Sequence, residues 1–167
     1  DKVLIHAAAG GVGHYATQIA KYFGAYVIGI ASPENKAFVL SNGVDQYIDY
    51  TTENFQELVS NVAFVLDAVG GDTLLKSLNV MKEGGTIITI TSMSIPDEVA
   101  EKAASKNINV SPLLVHSSGD DISQIAQLLE KGAIKSHVSK IFSFNEMREA
   151  HVYLEKGRTV GKVVVNM

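Results

Sequence analysis

Short continuous apolar runs alternate with segments of helical periodicity from one end of the chain to the other. Val3-Leu4-Ile5-His6-Ala7-Ala8, Tyr26-Val27-Ile28-Gly29-Ile30, Gln46-Tyr47-Ile48, Ala63-Phe64-Val65-Leu66-Asp67, Thr86-Ile87-Ile88-Thr89-Ile90 and residues 108–115 read as six strands. The runs do not alternate apolar with polar residues, so both faces of each strand are expected to be buried. Between them the spacing predicts helices. The first covers residues 12–23, with Ile19, Ala20 and Phe23 on its inner face and Gly24 as its stop. The second covers 34–41, opened by Pro33 and closed at Asn42-Gly43. Further helices are expected over 53–60, 72–81, 97–105 and 122–131, with Glu83-Gly84-Gly85 as a turn before the fifth strand. Tyr22, Phe23 and Phe64 are assigned to the core.

Strands separated by helices require right-handed crossovers and hence a parallel sheet. Six such strands suit the doubly wound α/β order 3-2-1-4-5-6, with helices on both faces and a ligand at the carboxyl ends where the order reverses. The tail departs from this rhythm: a strand at 138–142, a helix at 145–155 and a strand at 161–165. The chain therefore divides into residues 1–135 and a strand-helix-strand segment, 136–167. No Pro/Gly/Ser-rich linker, internal repeat or low-complexity stretch marks the boundary. Because the chain enters a buried-type strand almost at once, without an initiator methionine, it is read as a portion of a longer protein.

Composition narrows the partners. Apolar residues make up 46% and charged residues 19%, as in an ordinary globular domain. A formal charge of −4 gives no broad electrostatic surface for nucleic acid. No apolar run approaches the ~20 residues of a membrane span, and no signal peptide is visible. With no cysteine there is no disulfide, thiolate zinc site or thiol nucleophile, which fits a cytoplasmic protein. The five histidines (His6, His14, His116, His137, His151) are not at metal-ligand spacing, so no metal is expected. Ser92, Ser94, Ser117 and Ser118 lack a nucleophile elbow.

The candidate chemistry lies after the first strand, in Ala8-Ala9-Gly10-Gly11-Val12-Gly13. Against the Rossmann pattern G-x-G-x-x-G, Gly10 holds the second position and Gly13 the third, with Ala8 at the first. The second must let backbone approach phosphate, and the third lets helix pack on strand. Free amides of the helix's first turn, aided by its dipole, would then face a dinucleotide's pyrophosphate, with Ala9, Gly10, Gly11, Val12 and Gly13 around it. His14 follows at once, near the phosphates or at the surface. About 20 residues on, a carboxylate would select NAD by its ribose hydroxyl. Here the second strand ends in Ala31-Ser32-Pro33-Glu34-Asn35-Lys36. A hydroxyl at Ser32 and a cation at Lys36 favour NADP(H); Glu34, able to turn back to the ribose, argues the other way.

The blocks His6-Ala7-Ala8-Ala9-Gly10-Gly11-Val12-Gly13, Gln18-Ile19-Ala20-Lys21, Gly43-Val44-Asp45, Ile48-Asp49-Tyr50, Asp67-Ala68-Val69-Gly70-Gly71, Lys82-Glu83-Gly84-Gly85 and Gly157-Arg158-Thr159-Val160-Gly161-Lys162-Val163-Val164-Val165 resemble one family. It is the zinc-independent medium-chain dehydrogenase/reductases, in their quinone oxidoreductase (zeta-crystallin-like) branch, and the likeness covers essentially the whole chain. The resemblance implies NADPH-dependent hydride transfer to a quinone or an activated double bond. It sets Lys36 and Tyr50 around the adenosine 2′-phosphate, Arg158 near the same end, and Thr91, Ser92, Leu113 and Leu114 beside the nicotinamide. Asp67 ends the fourth strand at the cleft, where it either bonds locally or, with Val69, joins the cofactor site. Members of the family carry a further catalytic domain that supplies most of the substrate pocket and packs with the segment corresponding to 136–167. No catalytic residue is therefore assigned here, and the chain alone is expected to be inactive.

Two rivals remain. One is an enoyl or enone reductase of the same superfamily. The other is a non-catalytic module that binds NADPH or only self-associates. The sixth strand, apolar and at the sheet edge, is expected to pair with its twofold mate in a homodimer.

Overall fold

A computed structural model describes all 167 residues. Six strands form one sheet: β1 (Lys2–Ile5), β2 (Tyr26–Ala31), β3 (Gln46–Asp49), β4 (Val62–Asp67), β5 (Met81–Thr89) and β6 (Asn109–Pro112). Their order is β3-β2-β1-β4-β5-β6, and every pairing is parallel. This is the expected doubly wound Rossmann-type sheet. Neighbouring residues on one strand face opposite ways. Leu4 and Ile5 are both buried, yet they belong to different core clusters. Leu4 packs with Ile28, Ile48, Val65 and Ile87, and Ile5 with Val27, Ala31, Val39 and Leu66. Burying each such side chain stabilises the fold by about 2 kcal/mol.

The helices are α1 (Gly13–Tyr22), α2 (Lys36–Ser41), α3 (Phe55–Leu58), α4 (Asp72–Ser77), α5 (Asp97–Ser105), α6 (Gly119–Glu130) and α7 (Met147–Glu155). Several differ from the sequence expectation. The second is a 3₁₀ turn over Pro33–Asn35 followed by α2. α3 is a single turn. α4 stops at Ser77, because Val80 gives its carbonyl to the Val62 amide and Met81 already pairs with Val62. The Glu83-Gly84-Gly85 turn becomes an irregularity inside β5, where the register against β4 shifts between Val62 and Phe64. β6 is only four residues long, and Val115, expected in it, is 86% exposed.

Tyr22 and Phe23 are not core: Phe23 is 77% exposed, and the two rings pack edge-on at 5.3 Å outside the last turn of α1. Ala20 packs on the sheet-side core as expected, with Ala16, but the buried residues of α1 are Gly13, His14, Thr17 and Gln18, the last covered by the chain after α6.

The tail forms its own two-stranded parallel sheet, β7 (Val138–Ser143) with β8 (Lys162–Asn166), joined through α7. Ser143 and Glu146 form a reciprocal capping box ahead of that helix. Phe142 and Ala150 are buried between the layers, whereas Val138, Ile141, Val152 and Leu154 stay exposed. No helix is long and apolar enough to cross a membrane.

Candidate functional site

The glycine loop runs from the end of β1 into α1. Ala7 takes a positive φ of 51°, and its carbonyl accepts the Gly10 amide at 2.8 Å. The turn is so tight that a Cβ on Gly13 would lie 2.2 Å from the Ala7 oxygen and 2.8 Å from the Ala8 Cα. Only glycine lets α1 start this close to the strand, which is the role the sequence pattern required of its third position. The amides of Gly11, Val12 and Gly13 donate to no backbone acceptor, while the His14 amide returns to the Gly10 carbonyl at 3.1 Å. Val12 provides no side-chain cap. Three free N–H groups thus point out of the positive end of a ten-residue helix, the arrangement that binds an anion.

His14 is fully buried beneath this loop rather than at the surface. Its Nδ1 is 2.8 Å from the Gly10 carbonyl, which can only accept, so Nδ1 carries the proton. Nε2 is then a bare acceptor, buried and unpartnered. Burial lowers the pKa of His14; the Gly10 carbonyl opposes this, while the charges of Lys162 and His137 reinforce it.

Lys162 comes to the loop from the far end of the chain. The Gly161 amide donates to the Ala9 carbonyl at 2.9 Å, and a Cβ built on Gly11 would sit 3.3 Å from the Lys162 Nζ. The chain's ion pairs are Lys21–Asp45 and Lys82–Asp1, so the Lys162 ammonium has no carboxylate partner. Sequence reasoning treated Gly161-Lys162 only as part of a matching block. Its distance along the chain hid its place at the loop.

Beside the loop a cleft of about 650 Å³ opens over the carboxyl ends of β1 to β4. Tyr50 and Val69, both assigned from sequence, line it together, along with His6, Phe55 and Lys76, which the sequence did not flag. His6 donates from Nε2 to Ser77 Oγ at 2.9 Å, since the Ser77 hydroxyl hydrogen is given to the Thr73 carbonyl. Burial pulls its pKa down to about 4, against the raising influence of Asp67. Its ring meets Phe55 edge-on at 5.1 Å.

The remaining assigned residues divide. Ser32 Oγ accepts from Asn35 at 3.0 Å at the end of β2. Lys36 opens α2 with its Nζ 5.4 Å from the Tyr47 ring centroid and no ion pair. Neither belongs to the cleft lining. Asp67 is fully buried and bonds locally: Oδ1 takes the Val69 and Gly70 amides at 3.2 and 2.9 Å, and Oδ2 takes the Thr89 hydroxyl at 2.8 Å. It shapes the turn that carries Val69. Thr91 is drawn into the same network through Thr89 and packs on Gly70, and Ser92 bonds Ser94. Leu113 and Leu114 are exposed just beyond β6. Arg158 is exposed, without a carboxylate partner and outside the cleft lining. No group of three His, Cys, Asp or Glu side chains is arranged to hold a metal ion.

A parallel doubly wound sheet with a glycine turn, a free helix N-terminus and a cleft at the switch point defines a domain of the dinucleotide-binding class. The chain belongs to the family described as zinc-binding dehydrogenase, whose model matches residues 42–165. It is 34% identical over 167 residues to the NADPH-dependent alkenal/one oxidoreductase, chloroplastic, of Arabidopsis thaliana, covering 98% of this chain and 40% of that protein. The structure superposes on the quinone oxidoreductase of Coxiella burnetii with a TM-score of 0.92 and 36% identity, over 100% of this chain and 53% of that one. The CurK enoyl reductase gives a TM-score of 0.86 and 32% identity, over 100% and 55%. The chain spans about half the length of the curated relatives it matches, 48%, 40% and 55% for three of them. Among medium-chain reductases it represents the nicotinamide-cofactor-binding portion.

Proposed function

We propose that this chain is the NADP(H)-binding domain of a zinc-independent reductase that transfers hydride to a quinone or an activated carbon–carbon double bond. The observation that carries the reading is the row of free amides at Gly11, Val12 and Gly13 beside the unpaired Lys162 ammonium. The pyrophosphate fits there: the amides hydrogen-bond its oxygens, the dipole of α1 favours its charge, and Lys162 neutralises it. The Tyr50–Val69 cleft, floored by Ile30 and Ile48, takes the adenine on its apolar side. Ser32 donates a hydroxyl and Lys36 a free cation toward the ribose 2′-phosphate. Arg158 adds charge near that end. Thr91, Ser92, Leu113 and Leu114, on the far side of the switch point, border the nicotinamide. When bound, the nicotinamide supplies the hydride, and the chain's own contribution is to bind and orient it. Asp67 acts indirectly, by fixing the turn that presents Val69.

The exposed apolar residues of β7, β8 and α7 support a further domain packed on 136–167, supplying the rest of the substrate pocket. β6 is an edge strand with exposed Leu113 and Leu114 following it, which supports pairing of two copies through that edge. Light scattering tests this: a monomeric mass at high concentration removes the pairing. Cell fractionation checks the cytoplasmic placement expected from sequence.

The likeness to the CurK enoyl reductase favours a second reading, reduction of an enoyl or enone substrate by the same superfamily's chemistry. Assaying the full-length protein with a simple quinone and with an enone separates the two. The cofactor reading is tested by calorimetric titration of NADPH and NADH into wild type and Lys36→Ala. We expect NADPH to bind more tightly, and Lys36→Ala to abolish most of the preference. Equal affinities in wild type overturn it.

A further inference from the structure

Gln18 lies on α1, outside the glycine loop, yet two of the hydrogen bonds of its side chain reach a distant part of the chain. Its Nε2 donates to the His14 carbonyl at 2.9 Å and to the Lys135 carbonyl at 3.0 Å. Its Oε1 accepts the Lys135 amide at 2.8 Å. One buried side-chain amide therefore captures both backbone groups of Lys135, a two-point clamp with a defined register. Around it Ile134 is buried, Tyr15 bonds Ser136 through their hydroxyls, and the Phe38 ring lies 4.6 Å from that of His137.

The clamp leads back to the phosphate loop in two further steps. The His137 carbonyl, two residues beyond Lys135, accepts the Lys162 amide at 2.8 Å. The preceding residue, Gly161, bonds the Ala9 carbonyl and has a φ of 61°. A Cβ there would meet the His137 oxygen at 2.3 Å, so the two segments touch backbone to backbone. The Lys162 ammonium reaches Gly11 from this docked position. It has no carboxylate partner and lies 5.9 Å from the centroid of the Tyr15 ring. Two backbone bonds thus hold the ammonium beside the loop, Gly161 to Ala9 and Lys162 to His137, and the Gln18 clamp helps fix the segment that carries His137.

We infer that Gln18 is a positioning residue for cofactor binding. It ties the segment after α6 to α1 so that Lys162 stands over the free amides of the glycine loop. The inference rests on the reading that this loop takes the pyrophosphate of NADPH. It adds that nucleotide binding and docking of residues 134–162 are coupled. A cofactor that contacts Lys162 favours the docked arrangement, and by reciprocity the clamp raises cofactor affinity.

The test is calorimetric titration of NADPH and of adenosine 2′-monophosphate into the chain as wild type, Gln18→Met, Lys162→Met and the double variant. Adenosine 2′-monophosphate has no 5′-phosphate and reports the adenosine end alone. Loss of a charge-assisted contact predicts that each single variant weakens NADPH binding about tenfold, with the double variant no weaker than the weaker single. Adenosine 2′-monophosphate should bind all four alike. In wild type, NADPH should slow hydrogen exchange of the Gly161 and Lys162 amides, and in Gln18→Met it should not. Wild-type NADPH affinity in Gln18→Met with reduced affinity in Lys162→Met overturns the positioning role. So does equal weakening of both ligands in Gln18→Met, which marks a purely structural residue. Wild-type affinity in Lys162→Met instead overturns the pyrophosphate reading at Lys162.

Discussion

The amide of Gly161 donates to the carbonyl of Ala9 at 2.9 Å, joining residues 152 positions apart in sequence at the mouth of the glycine loop. Through this bond the last strand of the chain is anchored to the first crossover. The phosphate-facing surface is therefore built from both ends of the polypeptide.

Crowding on the other side of Gly11 makes that junction sensitive to one methyl group. In Gly11→Ala the new Cβ would stand 3.2 Å from the Gly161 oxygen and 3.3 Å from the Lys162 Nζ. The lysine can swing away but the backbone oxygen cannot. We expect faster hydrogen exchange at the Gly161 amide and weaker NADPH binding, with a small loss of overall stability of about 1 kcal/mol.

Gly13 is less forgiving. All three nearest atoms to its added Cβ are backbone atoms of Ala7 and Ala8, the closest at 2.2 Å. Gly13→Ala forces α1 away from β1 and should cost about 3 kcal/mol in urea unfolding. Gly119→Ala, with nothing within 4 Å of its Cβ, serves as the neutral comparison.

Asp67→Ala should destabilise the domain by about 3 kcal/mol, because it removes a buried carboxylate that accepts from the Thr89 hydroxyl and from the Val69 and Gly70 amides. It should also weaken cofactor binding without removing any direct contact, since the turn carrying Val69 loses its brace. Chemical denaturation together with NADPH titration checks both effects.

His6 gives the fold an acid sensitivity. Its pKa in the folded state is about 4, below the 6.5 of a free side chain. Between those values the unfolded chain binds more protons than the folded one, so acid favours unfolding. Stability from this group is intact above about pH 6.5 and is lost progressively as pH falls toward 4, by about 3 kcal/mol in all. His6→Asn should flatten the profile of urea midpoint against pH in that window. An unchanged slope would assign the acid sensitivity to other groups.

The strand order was legible because each strand is apolar on both faces and each is followed by a crossover, which leaves few parallel topologies. The glycine loop was legible because Gly10, Gly11 and Gly13 act locally, within a few residues of the strand they follow. Tyr22 and Phe23 misled for the same reason that the loop did not. Periodicity says that a residue shares a face with its helical neighbours, but not whether the sheet or another segment covers that face. On α1 the covering is divided between the sheet and residues 134–137, and both aromatics fall outside it.

The sequence by itself determined the parallel doubly wound sheet, the glycine turn and the family. Each of these rests on short-range patterns: apolar runs, helical periods and small residues at fixed offsets. Only the tertiary structure decided that Lys162 stands at the glycine loop, that His14 is buried beneath it, that Gln18 clamps Lys135, and that Asp67 spends its carboxylate on its own turn. Those relationships link residues brought together by chain crossing, or depend on which of several possible hydrogen-bond partners is within reach. Such distances are fixed by packing, and no spacing along the chain encodes them.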